Sequence, residues 1–422
     1  MRRRSVFAAS AAVAAAPLLT SSAPAFAEDA SGRVRTGFDA LAAADYRQLK
    51  GKRVGVISNP TGVTAKLRHE VDVMFASKAV NLIAVFGPEH GFRGTSQAGQ
   101  GEDYFIDPKT GLPVYNAYND ADKMKDYFKE LKLDTIVFDI QDVGARFYTY
   151  IWTLYLAMEA AADNGIEFMV LDRPNPCTAR DAYGPILHKE VASFVGLKPI
   201  SQRHGLTVGE LAGLYNGEFI PDSVGKPVDL KVMRMSGWNR RMAYADTGLP
   251  WIPPSPNMPT TDTARVYSGM CLFEASALSE GRGTTTPFQT VGAPDIDHHW
   301  EQALTKLDLP GVRFREAYFV PTFSKWESKT CGGVEVHVTD YRRFDPIRTA
   351  LAMIIAQRKV YPKYGWRTEA NPGDTPWIDK LTGSDQVRKD IEAGKDVDEV
   401  MDGWSKELSA FRDVRDKYLL YR

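Results

Sequence analysis

The chain has 422 residues, a quarter of them charged, and a formal net charge of −1 at pH 7. Charge this balanced excludes a protein whose surface attracts polyanions such as nucleic acids. The three cysteines, Cys177, Cys271 and Cys331, are far apart without paired metal-ligand spacing, so they exclude a disulfide scaffold and allow at most one disulfide.

The first 27 residues predict an export signal. Arg2, Arg3 and Arg4 precede an uncharged, alanine-rich stretch, and 25–27 supply the small-x-small pattern that signal peptidase needs. The pair Arg3-Arg4 followed by Ser5 resembles a twin-arginine signal, and a plain Sec signal is the alternative. Cleavage after residue 27 removes three positive charges and no negative ones, which changes the net charge from −1 to −4. We expect a soluble protein exported to the periplasm or the medium, because no later segment has the roughly 18 apolar residues of a membrane span.

Short apolar runs alternate with amphipathic or apolar helical stretches along the first half of the mature chain. Such alternation predicts an α/β fold around a mostly parallel, doubly wound sheet whose strands are buried on both faces. The predicted strands are Arg53 to Ile57, Leu82 to Phe86, Thr135 to Phe138, Phe168 to Leu171 and Leu230 to Met235. The predicted helices are Lys66 to Ala76, Lys123 to Leu131, Tyr150 to Ala162 and Val208 to Asn216.

Five prolines between residues 250 and 259 interrupt this pattern. Proline lacks the N–H that helices and central strands need, so we place a domain boundary here. The predicted organisation is a signal peptide, 1–27, an N-terminal catalytic domain, 28–249, and a smaller C-terminal α+β domain, 250–422. The C-terminal domain is expected to contain a strand, Gly333 to Val338, and helices from Pro346 to Arg358 and from Ser384 to Ala393.

Unusual polar segments follow four of the predicted strands directly, at 58–62, 87–94, 139–146 and 172–176. The carboxyl ends of parallel strands share one edge of a sheet, and ligands bind in the crevice outside that edge. The four loops are therefore expected to converge on one cleft.

Glu89 stands out because Pro88 and Gly91 hold it on a tight loop beside the imidazole of His90, as a general acid or base requires. A structural ion pair with Arg93 is the alternative. Asp139 and Asp142 are further catalytic candidates, although aspartates at strand ends also cap helices.

Five arginines lie in segments punctuated by glycine and proline, a placement that suits binding of an acidic ligand, although at least two are expected only to brace aspartates. They are Arg93, Arg146, Arg173, Arg203 and Arg282. Tyr148 can stack on a sugar or belong to the core. The segment 279–288 can form an anion-binding nest, but it matches no nucleotide motif, so we predict no cofactor.

Two other chemistries fit the spacing of the motifs less well. Residues 94–98 approximate a serine nucleophile elbow but have no preceding strand and lack the last glycine. His90, His204, Asp139 and Asp142 can meet around a metal, but no close histidine pair supports this, so we predict no metal.

Taken in order, the motifs resemble the exo-β-N-acetylmuramidases over nearly the whole mature chain. The motifs lie at 59–62, 87–94, 139–146, 171–176, 203–207, 254–259 and 280–284. The resemblance implies a Rossmann-like N-terminal domain, an active site in the cleft to the smaller domain, and release of terminal N-acetylmuramic acid from the non-reducing end of peptide-free peptidoglycan fragments in cell-wall turnover. It also implies that Glu89 is the catalytic acid.

A second catalytic role is assigned to Asp139, Asp142 or Glu280, with His90 tuning Glu89. The substrate-binding candidates are Asn59, Arg93, Arg146, Tyr148, Arg173, His204, Asn257, Arg282 and Thr284. At 274–277 this chain departs from the Gly-Thr-Asn of many family members, which removes a contact from that asparagine. An exported muramyl-sugar binding protein and a metal-dependent hydrolase of another cell-wall bond are the alternative functions.

Overall fold

In the computed structural model, a seven-stranded sheet runs through the part of the chain that is described, residues 33–177, 179–369, 371 and 373–421. The predicted signal peptide lies outside these residues. Two smaller sheets complete the set of strands. In chain order the strands are β1 Arg53–Ser58, β2 Asn81–Gly87, β3 Phe105–Ile106, β4 Pro113–Asn116, β5 Thr135–Asp139, β6 Glu167–Leu171, β7 Tyr183–Ile186, β8 Ser201–Arg203, β9 Leu230–Met233, β10 Thr290–Ala293, β11 Val312–Phe319 and β12 Cys331–Val338.

The large sheet has the order β3-β4-β2-β1-β5-β6-β9. All neighbouring pairs are parallel except β3 with β4, which is antiparallel. The prediction of a mostly parallel sheet is therefore confirmed, and the five predicted strands occur within two residues of their expected bounds. The carboxyl ends of β2, β1, β5 and β6 lie side by side at one edge.

The helices begin and end mostly where capping residues require. In chain order they are α1 Gly37–Ala43, α2 Glu70–Ser77, α3 Ala121–Glu130, α4 Tyr150–Asn164, α5 Val208–Glu218, α6 Ile220–Val224, α7 Thr261–Met270, α8 His298–Thr305, α9 Pro346–Val360, α10 Trp377–Thr382, α11 Gln386–Glu392, α12 Val397–Asp402 and α13 Ser405–Arg415. The predicted start of α2 at Lys66 is wrong. Leu67 has a left-handed φ of 58°, which no helix interior accepts, and His69 caps the helix instead.

Helices cover both faces of the large sheet. Along β5, Ile136 and Phe138 pack in one apolar cluster with α3 and α4, whereas Val137 packs in the opposite cluster with α1 and α2. Side chains alternate between the faces of a strand, so a strand that is apolar throughout is buried on both. This is the doubly wound α/β arrangement that the sequence predicts.

The C-terminal part of the chain contains an antiparallel sheet of order β10-β12-β11, against which α8 packs. The predicted strand at 333–338 and the two predicted helices are present, as β12, α9 and α11. The proline-rich stretch 250–259 is neither helix nor strand, as expected. The division of the chain at residues 249 and 250 stays a prediction.

Two further expectations concern the whole described chain. None of its helices is long and apolar enough to cross a bilayer. Its three cysteines are buried and unpaired, as suits a fold whose stability comes from an apolar core.

Candidate functional site

Three of the four predicted loops are joined by hydrogen bonds at the carboxyl edge of the large sheet. The hydroxyl of Ser58, at the end of β1, donates to the carbonyl of Asp139 at the end of β5 (3.1 Å). In the loop after β5, the Gln141 amide N–H donates to Thr61 Oγ1 (2.9 Å), and its side chain donates to the carbonyl of Pro174 after β6 (2.7 Å). The loops after β1, β5 and β6 therefore form one rigid platform.

Glu89 lies on the fourth loop, directly after β2. Its Oε1 accepts the Gly99 amide N–H (2.6 Å), and Thr149, at the start of α4, donates its hydroxyl to Oε2. The side chain is 13% exposed. Each carboxylate oxygen thus has a donor on a different segment, which fixes the carboxyl group while leaving part of it accessible.

The backbone around Glu89 forms a tight turn. His90 and Gly91 both have left-handed φ angles, 71° and 81°, and the Gly91 amide donates to the carbonyl of Pro88 (2.9 Å). A β-carbon at Gly91 would lie 2.5 Å from the Glu102 carboxylate. Left-handed conformations of residues other than glycine store strain that the surrounding structure must hold. The turn therefore fixes the direction in which Glu89 points.

His90 is oriented by its own loop. Its Nδ1 lies 3.1 Å from the carbonyl of Ser96, and a carbonyl only accepts, so Nδ1 carries the proton. The other ring nitrogen, Nε2, faces Glu89 Oε1 at 3.9 Å. The imidazole therefore lies beside Glu89, its tuning of Glu89 stays a prediction, and the elbow-like segment 94–98 belongs to this irregular loop.

A wall of aromatic rings extends from Glu89 into the interior. Tyr150, Tyr148, Tyr267 and Phe288 follow one another with centroid separations of 5.1, 5.5 and 4.8 Å. Burial, together with the Glu89 charge, raises the pKa of Tyr148, of Tyr150 and of Tyr118 well above the usual phenol value. These three phenols stay protonated beside Glu89 at neutral pH.

At the far end of this wall lies a second charged cluster. The Arg282 guanidinium sits over the Phe288 ring, 5.0 Å from its centroid. Arg282 pairs with Glu274 (2.6 Å) and with Glu280 (3.1 Å), and Lys325 holds the other Glu280 oxygen at 2.8 Å. Glu280 is 2% exposed, so its carboxylate is enclosed between two cations. This arrangement corrects the expectation that Glu280 acts on substrate directly.

Asp139 is structural, which corrects its assignment as a catalytic candidate. It is fully buried and forms a two-pronged pair with Arg173, whose Nη2 lies 2.9 Å from Oδ2. Burial and the Asp139 charge raise the pKa of the neighbouring Glu70 well above its usual range. Arg173 is consumed by this pair and is 5% exposed, so it is not a substrate ligand either.

Asp142 pairs with a histidine and not with an arginine. His204 Nε2 lies 3.0 Å from Asp142 Oδ2, and the Gly144 amide N–H donates to the same oxygen (2.7 Å). Both side chains are buried, His204 completely. They stabilise the loop after β5, and neither His204 nor Asp142 has the accessible surface that its predicted role requires.

Arg93 and Arg146 also serve the fold. Arg93 bonds Asp72 and Asp107, each at 2.9 Å, which excludes the alternative ion pair with Glu89. Arg146 is fully buried and donates to the carbonyls of three residues on separate segments, Pro185, Ile200 and Leu381. Both were expected to bind substrate, but protein acceptors already engage Nε and Nη2 of Arg93 and both Nη groups of Arg146.

Three substrate-binding candidates remain. Asn59 is fully buried and accepts from Thr61, so it shapes the first loop and does not reach a ligand. Asn257 is 7% exposed on the proline-rich segment, next to the Pro254 carbonyl that accepts from Tyr150. Thr284 is half-buried beside Arg282, with its hydroxyl donated to Gly281 (2.6 Å). Of the three, Asn59 is the one whose side chain contacts Tyr150 in the aromatic wall.

The four residues that the sequence offered as alternative metal ligands do not converge as one group. Among the described residues, the one group of three or more metal-type ligands that converge is Asp297, His298 and His299, on a different segment. His90, His204, Asp139 and Asp142 are instead divided between the loops described above.

Several contributors to the site carry no sequence signal. Thr149, Gly99 and Tyr118 surround Glu89, and Tyr267 and Lys325 connect the wall to Arg282. Thr149 adjoins the predicted Tyr148, which was the available hint. The others lie on segments whose approach depends on the tertiary fold.

Two family models together match most of the chain, from residue 54 to residue 421. The model described as "Exo-beta-N-acetylmuramidase NamZ, N-terminal" matches residues 54–262, and the one described as "Exo-beta-N-acetylmuramidase NamZ, C-terminal" matches residues 265–421.

Individual relatives agree. The chain is 46% identical over 390 residues to a protein of Bacillus subtilis named peptidoglycan beta-N-acetylmuramidase NamZ. The aligned residues cover 92% of each chain. It is also similar to crystal structures of two DUF1343 family proteins from Bacteroides fragilis. Their TM-scores are 0.82 and 0.71 at 36% and 33% identity, and each match covers 92% of this chain and 99% of the other.

Proposed function

Since the chain belongs to the exo-β-N-acetylmuramidase NamZ family, we propose that it is an exo-acting glycoside hydrolase. Its substrate is peptide-free peptidoglycan, from which it releases the terminal N-acetylmuramic acid at the non-reducing end, a reaction of cell-wall turnover. The observation that carries this proposal is the fixed, partly accessible carboxyl group of Glu89 at the carboxyl edge of the sheet.

Glu89 is the general acid of the proposed mechanism. Hydrolysis of a glycosidic bond requires a proton for the leaving oxygen, and a positioned carboxylic acid supplies it. Gly99 and Thr149 hold the carboxyl group in place, and His90 lies close enough for its charge to tune Glu89. Tyr148 and Tyr150 beside it are 8% and 2% exposed, so they support the site from the core and offer no open face to a sugar ring.

The anomeric carbon needs a partner as the bond breaks. Asp139, Asp142 and Glu280 are each enclosed by buried partners, so none of these three predicted carboxylates is free for that role. We infer that the substrate provides the nucleophile itself. The carbonyl oxygen of the 2-acetamido group attacks the anomeric carbon while Glu89 protonates the leaving oxygen. Water then opens the resulting oxazolinium ring and gives its proton to the Glu89 carboxylate.

The central experiment follows turnover of a peptide-free N-acetylmuramyl-N-acetylglucosamine disaccharide by mass spectrometry. The unmodified protein is expected to release free N-acetylmuramic acid. Glu89→Gln keeps the shape of the side chain but carries no transferable proton, so turnover should fall by about 10²–10⁴-fold with binding retained. Glu102→Gln is the matched control on the same loop. Its oxygen can still accept the Phe92 amide, and activity should stay within a few-fold.

The alternatives predict other outcomes of the same experiment. Disaccharide binding without any product would indicate an exported binding protein. Loss of activity on addition of a chelator would indicate a metal-dependent hydrolase. Wild-type turnover by Glu89→Gln would remove Glu89 from the mechanism.

The anomeric configuration of the product tests the acetamido step. Participation of the 2-acetamido group requires that the first-formed product is the β-anomer, as in retaining glycosidases. Proton NMR of early reaction mixtures distinguishes the two anomers. A first-formed α-anomer would contradict the step and leave Glu89 as the acid untouched.

Export is a further part of the proposal. It rests on the basic start, apolar stretch and cleavage pattern of residues 1–27. N-terminal sequencing of protein recovered from the cell envelope or medium should begin at Glu28. Replacing Arg3 and Arg4 with lysines should block export by a twin-arginine route and leave a Sec route working.

A further inference from the structure

A cavity of about 610 Å³, whose lining does not include Glu89, is lined largely by arginines. The lining contains Arg180, Arg203, Arg241, Arg265 and Arg342. Among the described residues that line the cavity, Asp181 is the one with an acidic side chain. Five guanidinium groups and one carboxylate line the cavity, and Asp262 outside the lining pairs with one of the five, so positive charge exceeds negative charge here. Such a concentration of charge costs electrostatic energy in the empty protein, and a bound anion removes that cost.

The arginines are arranged around an aromatic side chain. The guanidinium groups of Arg265 and Arg342 lie 5.4 and 5.5 Å from the centre of the Tyr341 ring. Arg265 also contacts Asp262, which is itself largely exposed. Arg180 and Arg241 are exposed, and neither has an acidic partner among the described residues. Two of the five cations are therefore available at the mouth of the cavity.

Helix α7 separates this cavity from the proposed active site. Tyr267 on α7 packs against Tyr148 in the aromatic wall, whereas Arg265 lines the cavity. Residues two apart on an α-helix point roughly 200° away from each other. A ligand in the cavity therefore lies on the opposite side of α7 from the wall that leads to Glu89.

We propose that this cavity binds a compact polyanion, a molecule with two or more phosphate or carboxylate groups within about 10 Å. Arginine forks bind both oxyanions in a fixed, two-pronged geometry, which lysine does not offer. The volume lies within the range of small-molecule sites, about 300–1,000 Å³. The cavity is too strongly charged for a neutral sugar and too small for a folded partner.

Isothermal titration of the mature, full-length protein with pyrophosphate and, separately, with citrate tests the proposal. At least one is expected to bind with a dissociation constant below about 1 mM, and the comparison identifies phosphate or carboxylate as the preferred group. The double variant Arg180→Ser/Arg241→Ser removes two exposed cations and should weaken binding about tenfold or more. The proposal would be overturned if neither pyrophosphate nor citrate bound, or if the double variant bound them with unchanged affinity.

Two controls make the result specific. Arg47→Ser removes an exposed arginine outside the cavity, and its affinity should equal that of the unmodified protein. Arg180→Lys/Arg241→Lys keeps the charge but loses the forks, so wild-type affinity in this variant would indicate bulk attraction and contradict the proposed site. Muramidase turnover of the arginine variants should be unchanged, which keeps this test independent of the proposed function.

Discussion

The buried cluster of Glu70, Asp139 and Arg173 allows a sharp test of which charges the fold requires. Asp139 and Arg173 form a two-pronged ion pair, and Glu70 lies beside them, with its Oε1 2.5 Å from the Ser58 hydroxyl oxygen. Because burial and Asp139 raise the pKa of Glu70, we expect Glu70 to be protonated. The cluster then holds one negative and one positive charge, which cancel.

The structure sets the expected magnitudes. Arg173→Met leaves the Asp139 charge buried without a partner and should cost about 3–5 kcal/mol. An unfolding entropy of about 2.1 cal/mol/K per residue over roughly 390 residues is about 0.8 kcal/mol/K, so Tm should fall by about 4–6 °C. Glu70→Gln replaces a neutral side chain by another of the same shape. Its Tm should change by less than about 2 °C.

Calorimetry at several pH values measures both effects. A raised folded-state pKa means that the contribution of Glu70 is fully present at acid pH and is lost as pH rises through the folded value. Glu70→Gln has no such titration, so it should gain stability relative to the unmodified protein as pH rises. An equal loss of Tm in Glu70→Gln and Arg173→Met would refute the reasoning, because replacing a neutral Glu70 should have no such cost. If the Asp139→Asn variant folded stably but had no activity, Asp139 would have to take part in catalysis.

Two further predictions concern stability and the Glu89 loop. Burial raises the pKa of Asp172 to about 7, so its contribution to stability is present at acid pH and is lost between about pH 4 and 7. Tyr421→Phe removes the hydroxyl that donates to Asp172 and accepts the Met235 amide N–H. The free energy of unfolding, measured by chemical denaturation, should fall by about 1–3 kcal/mol. An unchanged midpoint would contradict these two hydrogen bonds. Gly91→Ala introduces left-handed strain and a close approach to Glu102, and should reduce turnover. Gly51→Ala, with a similar φ of 77° and no neighbour within 4 Å, isolates the strain and should leave turnover unchanged.

The strands and most helices of the first half were predictable because their signals are local. A run such as Thr135–Asp139 is apolar on both faces of the strand, and that pattern admits few structures besides a central parallel strand. Strand β11 was not predicted, because charged residues alternate along its exposed face. Without knowledge of the partner strand, such a polar pattern is typical of a loop.

The position of Glu89 was also predictable, since a tight Pro-Glu-His-Gly turn after a parallel strand places a carboxyl group at the binding edge. The roles of the surrounding charges were not. Arg146 and Arg173 lie in the same kind of segment as Arg282, yet one bonds carbonyls, one pairs with Asp139 and one reaches the aromatic wall. The sequence contains the same side chain in all three cases.

The sequence alone therefore determined the five central strands, most of the helices between them and the sheet edge at which Glu89 lies, because each depends on neighbours within a few residues. Tertiary structure alone decided which carboxylates remain accessible. Whether an aspartate is neutralised depends on whether the fold places a cation from a distant segment beside it, as it places Arg173 beside Asp139. Burial and pairing of charge are properties of the packed chain, and no local pattern encodes them.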